Sequence, residues 1–203
     1  MTNEIRTVRE SIERGLASAR ARPEERFSEL SPCGRYRLEV EGYATTDFTD
    51  YATILVGIVR EVASGAVIAT VKRNDTRCFY AWVARDGRNY LLLPEDLEGQ
   101  TVVDLTTGRV EGFSSPDDHF IWTEYHPSPD TSLMAIVGCY WACPYQVTVY
   151  DFRDPMNLPL RKLGEFVLEE NDARFGEWTS VTAFTVRAQD GTVRAIELRP
   201  DQA

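Results

Sequence analysis

The residues of this chain most suited to chemistry cluster in one heptapeptide, Cys139-Tyr140-Trp141-Ala142-Cys143-Pro144-Tyr145. Two cysteines four apart across a loop can hold a metal, form a redox pair, or pack as small hydrophobes. A zinc site needs two more ligands, and the only candidates are Cys78, His119 and His126, since Cys33 lies far upstream and no C-x-x-C pair occurs. Nothing cationic sits nearby in sequence to depress a thiol pKa, which favours the packing reading. With two histidines in the chain, nucleophilic catalysis reduces to a Cys78 and His119 dyad. Gly112-Phe113-Ser114-Ser115-Pro116 is not a nucleophile elbow, which requires G-x-S-x-G at a strand-to-helix turn.

Carboxylates are the other candidates. Asp47 with Asp50, Glu95 with Asp96, and Asp117 with Asp118 are paired in sequence, with Glu98 close by. Glycoside hydrolysis by such a pair would require separations of roughly 5 to 9.5 Å, which spacing alone does not fix. No D-x-D-x-D-G calcium loop, G-x-G-x-x-G or G-x-x-x-x-G-K phosphate cradle is present. No cofactor or metal is therefore expected.

Composition narrows the partners. The chain has 203 residues, 22 basic and 32 acidic, for a net charge of -10. A surface that neutralises phosphates wants the opposite sign, so nucleic acid is excluded and a basic partner suits better. No run reaches the 18 or more apolar residues of a membrane span, and the N-terminus has no apolar leader core. Cytoplasmic residence, reduced thiols and no membrane association are the corresponding expectations.

The elements that would position these residues are mostly strands. Residues 1–26 carry six Arg and five Glu, and Ile5, Val8, Ile12 and Leu16 recur at helical spacing, which predicts an amphipathic helix ended by Pro23. Such a helix would cover an edge or an end of a sheet core. From Phe27 the period becomes strand-like. The clearest unit contains FYAWVA, the turn Arg85-Asp86-Gly87, NYLLLP, the loop Glu95 to Gly99, QTVVDL, the turn Thr106-Thr107-Gly108, and RVEGF. The same order recurs upstream and downstream, and the late turns at Gly65, Gly108 and Pro155 are 43 and 47 residues apart. A period near 45 residues means a repeat architecture. The expected domains are a helix over 1–26 and a β domain over 27–203, with repeats at 27–73, 74–114 and 115–166 and a partial one at 167–203.

Val103-Asp104-Leu105-Thr106-Thr107-Gly108 and Tyr150-Asp151-Phe152, with Ser31-Pro32-x-Gly34 and Ser128-Pro129-Asp130, resemble the third-strand and first-turn signatures of β-propeller repeat proteins, WD40-like in the broad sense. A Trp-Asp dipeptide closing a blade and a Gly-His pair are absent. The resemblance implies an all-β fold of about three and a half to four four-stranded antiparallel blades, a small or incomplete propeller, after the N-terminal helix. Three closures are open: a four-bladed ring, an open stack of sheets, or an arc completed by a second chain.

In such blades the loop between strands two and three shares a rim with the connection to the next blade. That rim would gather Asp47, Asp50, Glu95, Asp96, Glu98, Asp117, Asp118, Tyr140, Trp141 and Tyr145, the candidate binding residues. Aromatics among carboxylates make a recognition surface for a protein carrying Arg or Lys. Equally, the aromatics can plug the rim between repeats while the acids are solvated. Three function classes follow: a non-catalytic protein-binding module, including an inhibitor or immunity-type protein; a hydrolase using rim carboxylates or the Cys/His pair; and a scaffold acting as a homodimer.

Overall fold

The computed structural model describes residues 3–44, 53–74, 79–96, 98–115, 117, 119–141, 144–168, 174–188 and 190–199. Among these residues one helix, α1 (Asn3–Ser18), precedes fifteen strands. The first sheet holds β1 (Arg20–Leu30), β2 (Tyr36–Ala44), β3 (Thr53–Glu61) and β4 (Val67–Asn74), paired in that order. The second holds β5 (Ala81–Arg85), β6 (Arg88–Leu93), β7 (Gln100–Asp104) and β8 (Arg109–Phe113). The third holds β9 (Ile121–Pro127), β10 (Leu133–Cys139), β11 (Gln146–Asp151) and β12 (Lys162–Val167). The fourth has three, β13 (Arg174–Trp178), β14 (Ala183–Arg187) and β15 (Val193–Glu197). Every pairing is antiparallel between chain neighbours, so each sheet is a meander built from one repeat.

The repeat is physical as well as topological. In the first turns, Ser31 and Ser128 are both buried. Each hydroxyl accepts the N–H five residues on, from Tyr36 and Leu133 respectively. Each serine N–H donates to the carbonyl of that same residue. At the third-strand ends, Asp104 Oδ1 accepts the N–H groups of Thr106 and Thr107, and Asp151 Oδ1 accepts that of Arg153. The Arg153 side chain adds further hydrogen bonds and holds the Asp151 carboxyl down to about 2. Just past each third strand, Val62, Leu105, Phe152 and Leu198 donate to Arg35, Asn89, Ser132 and Thr182. Leu198 follows β15, so β15 is a third strand, and the strand the fourth sheet lacks among the described residues is the outermost. Asp86 and Gly87, both at positive φ (48° and 73°), make the two-residue hairpin between β5 and β6 that the Asp-Gly dipeptide predicts.

Three apolar cores join neighbouring sheets. Leu38, Val59 and Val103 sit between the first and second; Leu92, Trp122 and Tyr150 between the second and third; Val137, Val149 and Phe184 between the third and fourth. Each fully buried side chain of this size contributes about 1.5–3 kcal/mol. No core joins the fourth sheet to the first among the described residues. The strand patterns say the same: β7 and β10 are buried on both faces, whereas β2 alternates, with Arg37, Glu39 and Glu41 facing away from its core. On β14 and β15, Thr185, Arg187 and Glu197 likewise lie outside the core face. The interior strands are thus covered on two faces, while β2, β14 and β15 carry charged or polar residues on the face away from their cores. The fold is therefore propeller-like, four meander sheets in series with no core joining the last to the first among the described residues.

The helix is shorter than the reading that ended it at Pro23. It stops at Ser18, and residues 20–26 belong to β1 instead. The ladder with β2 skips between Arg22 and Arg26, so the stretch holding Pro23 is a bulge in which no N–H is needed. Ile5 and Ile12 are buried and α1 lies against β3 and β4. Arg9 of α1 pairs with Glu95 beyond β6 and Glu13 pairs with Lys72 of β4, so the helix lies on the β4 side of the seam between the first and second sheets.

Two predictions arise from this packing. An added Cβ at Gly138 would run into the Ile121 carbonyl oxygen and the Phe120 ring, so Gly138→Ala should destabilise by about 2–3 kcal/mol in urea unfolding. Where the third and fourth sheets meet, the His126 ring stacks on Phe175 at 4.1 Å and its carbonyl accepts the Trp178 indole N–H at 2.9 Å. Burial holds the His126 pKa below its ordinary value, although Glu124 at 3.2 Å works against this. The folded state thus prefers neutral imidazole. That contribution is complete above about pH 6.5 and is lost as pH falls below it. Trp178 fluorescence should report loosening of the fourth sheet between about pH 7 and 5, and His126→Phe should flatten that response.

Candidate functional site

The loop between β6 and β7, the connection from β8 to β9 and the loop between β10 and β11 emerge at one rim, where the second and third sheets meet. At its centre is the carboxylate of Glu98. Its Oε1 accepts the Trp141 indole N–H at 2.7 Å, and its Oε2 lies 2.8 Å from His119 Nδ1. Three segments remote in sequence are thereby fastened together. The indole has a single polar atom, and Glu98 uses it, so what Trp141 turns outward is apolar ring; the residue is 61% exposed. Tyr145 is 42% exposed on the same loop, and Asp117 and His119 are exposed on the neighbouring connection.

Tyr140 has a different role. Its ring packs on buried Phe120 with centroids 5.3 Å apart. Its hydroxyl donates to Glu165 at 2.8 Å and accepts from Lys162 at 3.0 Å. Burial raises its pKa, with Lys162 opposing, and the Glu165 carboxyl lies below its ordinary range because the bonds from Lys162 and Tyr140 outweigh its burial. Lys162 and Glu165 come from β12, and no local sequence signal placed them beside this loop. Tyr140 thus plugs the rim, as the alternative reading of the aromatics held, while Trp141 and Tyr145 do not.

The pair Glu95 and Asp96 turns out to be structural. Glu95 is only 4% exposed, and its carboxylate accepts from Arg9 Nε and Nη2 at 2.5 and 2.9 Å and from the Thr101 hydroxyl at 2.5 Å. The Glu95 hydrogen bond, partly countered by burial, raises the Arg9 pKa further. Asp96 accepts the Asn74 N–H at 3.0 Å, and its carbonyl accepts from Arg73 at 2.7 Å. Glu95 therefore anchors α1, and Asp96 Oδ1 anchors the end of β4. The physical reason is that the apolar leucines of β6 carry the loop inward before it turns.

Asp47, Asp50, Asp118, Cys78 and Cys143 lie outside the described residues. Cys139 is half-buried at the end of β10, and Cys33 is exposed in the first turn. Among the described residues no three His, Cys, Asp or Glu side chains come together as a metal site. No helix among them is long and apolar enough to cross a membrane.

No family model matches the chain. It is 30% identical over 131 residues to the uncharacterised protein R762 of Acanthamoeba polyphaga mimivirus, a match that covers 62% of this chain and 50% of the relative. The chain thus spans about half the length of that relative. Among solved structures it is similar to the dihydro-heme d1 dehydrogenase NirN, at 14% identity and a TM-score of 0.47 over 85% of this chain and 37% of that one. It is also similar to the β-propeller domain of Myceliophteria thermophila Cps50 (Swd1), at 14% identity and a TM-score of 0.45 over 86% and 52%.

Proposed function

We propose that this chain is a non-catalytic protein-binding module, cytoplasmic in setting, that docks a partner on the rim between its second and third sheets. The observation that carries the reading is Trp141, a large rigid side chain 61% exposed with its N–H already satisfied. An exposed indole pinned in one orientation loses little entropy on binding, and tryptophan is enriched among residues that dominate interface energies. Tyr145 and Asp117 extend the same surface. The net charge of -10 supports a basic partner, drawn in by complementary potential. An inhibitor or immunity-type protein that neutralises a cationic domain fits this description.

The test is comparative capture from native lysate by wild type, Trp141→Ala and Arg153→Ala, the last a control in the turn between β11 and β12 on the opposite rim. A partner held by wild type and Arg153→Ala and released by Trp141→Ala is the expected result. Equal retention by all three would remove the rim from the reading.

A further inference from the structure

A second site lies apart from this rim, beneath α1. Between α1, β4 and the strands β6 to β8 is a cavity of about 440 Å³, within the size range of small-molecule pockets and toward its lower end. Its apolar wall is Ile12, Val71, Leu93 and Val110, and Thr70 and Thr101 add hydroxyls. Two ion pairs also line it, Arg9 with Glu95 and Lys72 with Glu13. A space lined this way is unlike the purely apolar voids that stay empty.

The hydrogen-bond inventory of these groups points to the ligand. Arg9 has five N–H groups and gives two to Glu95; Lys72 has three and gives one to Glu13, at 2.5 Å. Neither cation donates to any other acceptor among the described residues. Glu95, by contrast, is filled by three donors, since Thr101 also bonds it. The site therefore has donors to spare on two cations beside a branched aliphatic wall. The four charges lining it sum to zero, and Glu111, itself paired with Arg109, also acts on Arg9, in a chain of net charge -10; this disfavours polyanions such as nucleotides and leaves room for one negative charge at most. We infer that this cavity binds a small monocarboxylate with an apolar body, the carboxylate taken by Arg9 and Lys72 and the body by Ile12, Leu93 and Val110. Such a ligand would tie α1 to the first two sheets, independently of what docks at the Trp141 rim.

Octanoate and octanamide, equal in size and shape and different in charge, test this by isothermal titration calorimetry. Wild type should bind one octanoate, and octanamide at least tenfold more weakly, because hydrogen bonds to charged groups are the stronger kind. Val110→Trp, which fills the cavity, should abolish octanoate binding while leaving the circular dichroism spectrum unchanged. Lys72→Met, at a partly exposed side chain, should weaken octanoate at least tenfold and leave octanamide unaltered. Equal affinity for the two probes, no octanoate binding at millimolar concentration, or octanoate binding that survives both substitutions would overturn the inference.

Discussion

Arg9→Ala should lower the unfolding free energy by about 3–5 kcal/mol. The reason is asymmetry within the ion pair. The Glu95 side chain is 3% exposed and that of Arg9 is 35% exposed. Removing the arginine leaves an almost wholly buried carboxylate without its cation, with only Thr101 still donating to it. Removing the carboxylate leaves a guanidinium that can rehydrate, so Glu95→Gln should cost less, about 1–3 kcal/mol. In the double variant the second change should restore part of what the first removed, because no charge is then left buried. Urea unfolding followed by circular dichroism measures all three. Arg9→Ala within 0.5 kcal/mol of wild type would mean that α1 is not anchored through Glu95.

Trp141→Ala should leave stability within about 0.5 kcal/mol of wild type, as befits an exposed side chain. Yet it should weaken partner binding at least about 30-fold, since a dominant interface residue is worth about 2 kcal/mol or more. Glu98→Gln separates orientation from charge. Its amide oxygen still accepts the indole N–H, so the anchor stays in place while one negative charge disappears. The expected signature is a slower association rate with a reduced salt dependence and a smaller change in dissociation. A loss of stability in Trp141→Ala equal to the loss of binding would instead make the residue a structural plug like Tyr140.

Much of the fold was legible because its repeating turns are chemically explicit. Asp86-Gly87 names its hairpin, and Ser31 and Ser128 cap their turns through the same two hydrogen bonds. Closure was not legible: a ring, an open stack and an arc completed by a second chain all fit the repeat, and the contrast between the charged alternation of β2 and the buried run of β10 takes its meaning only from the packed sheets. β1 was hidden because RARPEER has the composition of a polar helix, and the bulge that admits Pro23 exists only once β2 is alongside. At the site, the carboxylates of the β6 to β7 loop are equivalent in sequence. Only tertiary structure sends Glu95 inward to Arg9, 86 residues away, and Glu98 outward to Trp141 and His119. Charge and residue type thus nominated a set of loop acids, and long-range partners divide them between Arg9 and the Trp141 side.

The most direct measurement of the central claim is amide hydrogen exchange on the chain alone and in complex with the partner recovered by capture. Protection on binding should concentrate in residues 94–99, 114–120 and 140–145, the three segments joined by Glu98. Protection centred on the opposite turns, 128–132 and 152–161, with the Trp141 loop exchanging as in the free chain, would contradict the account.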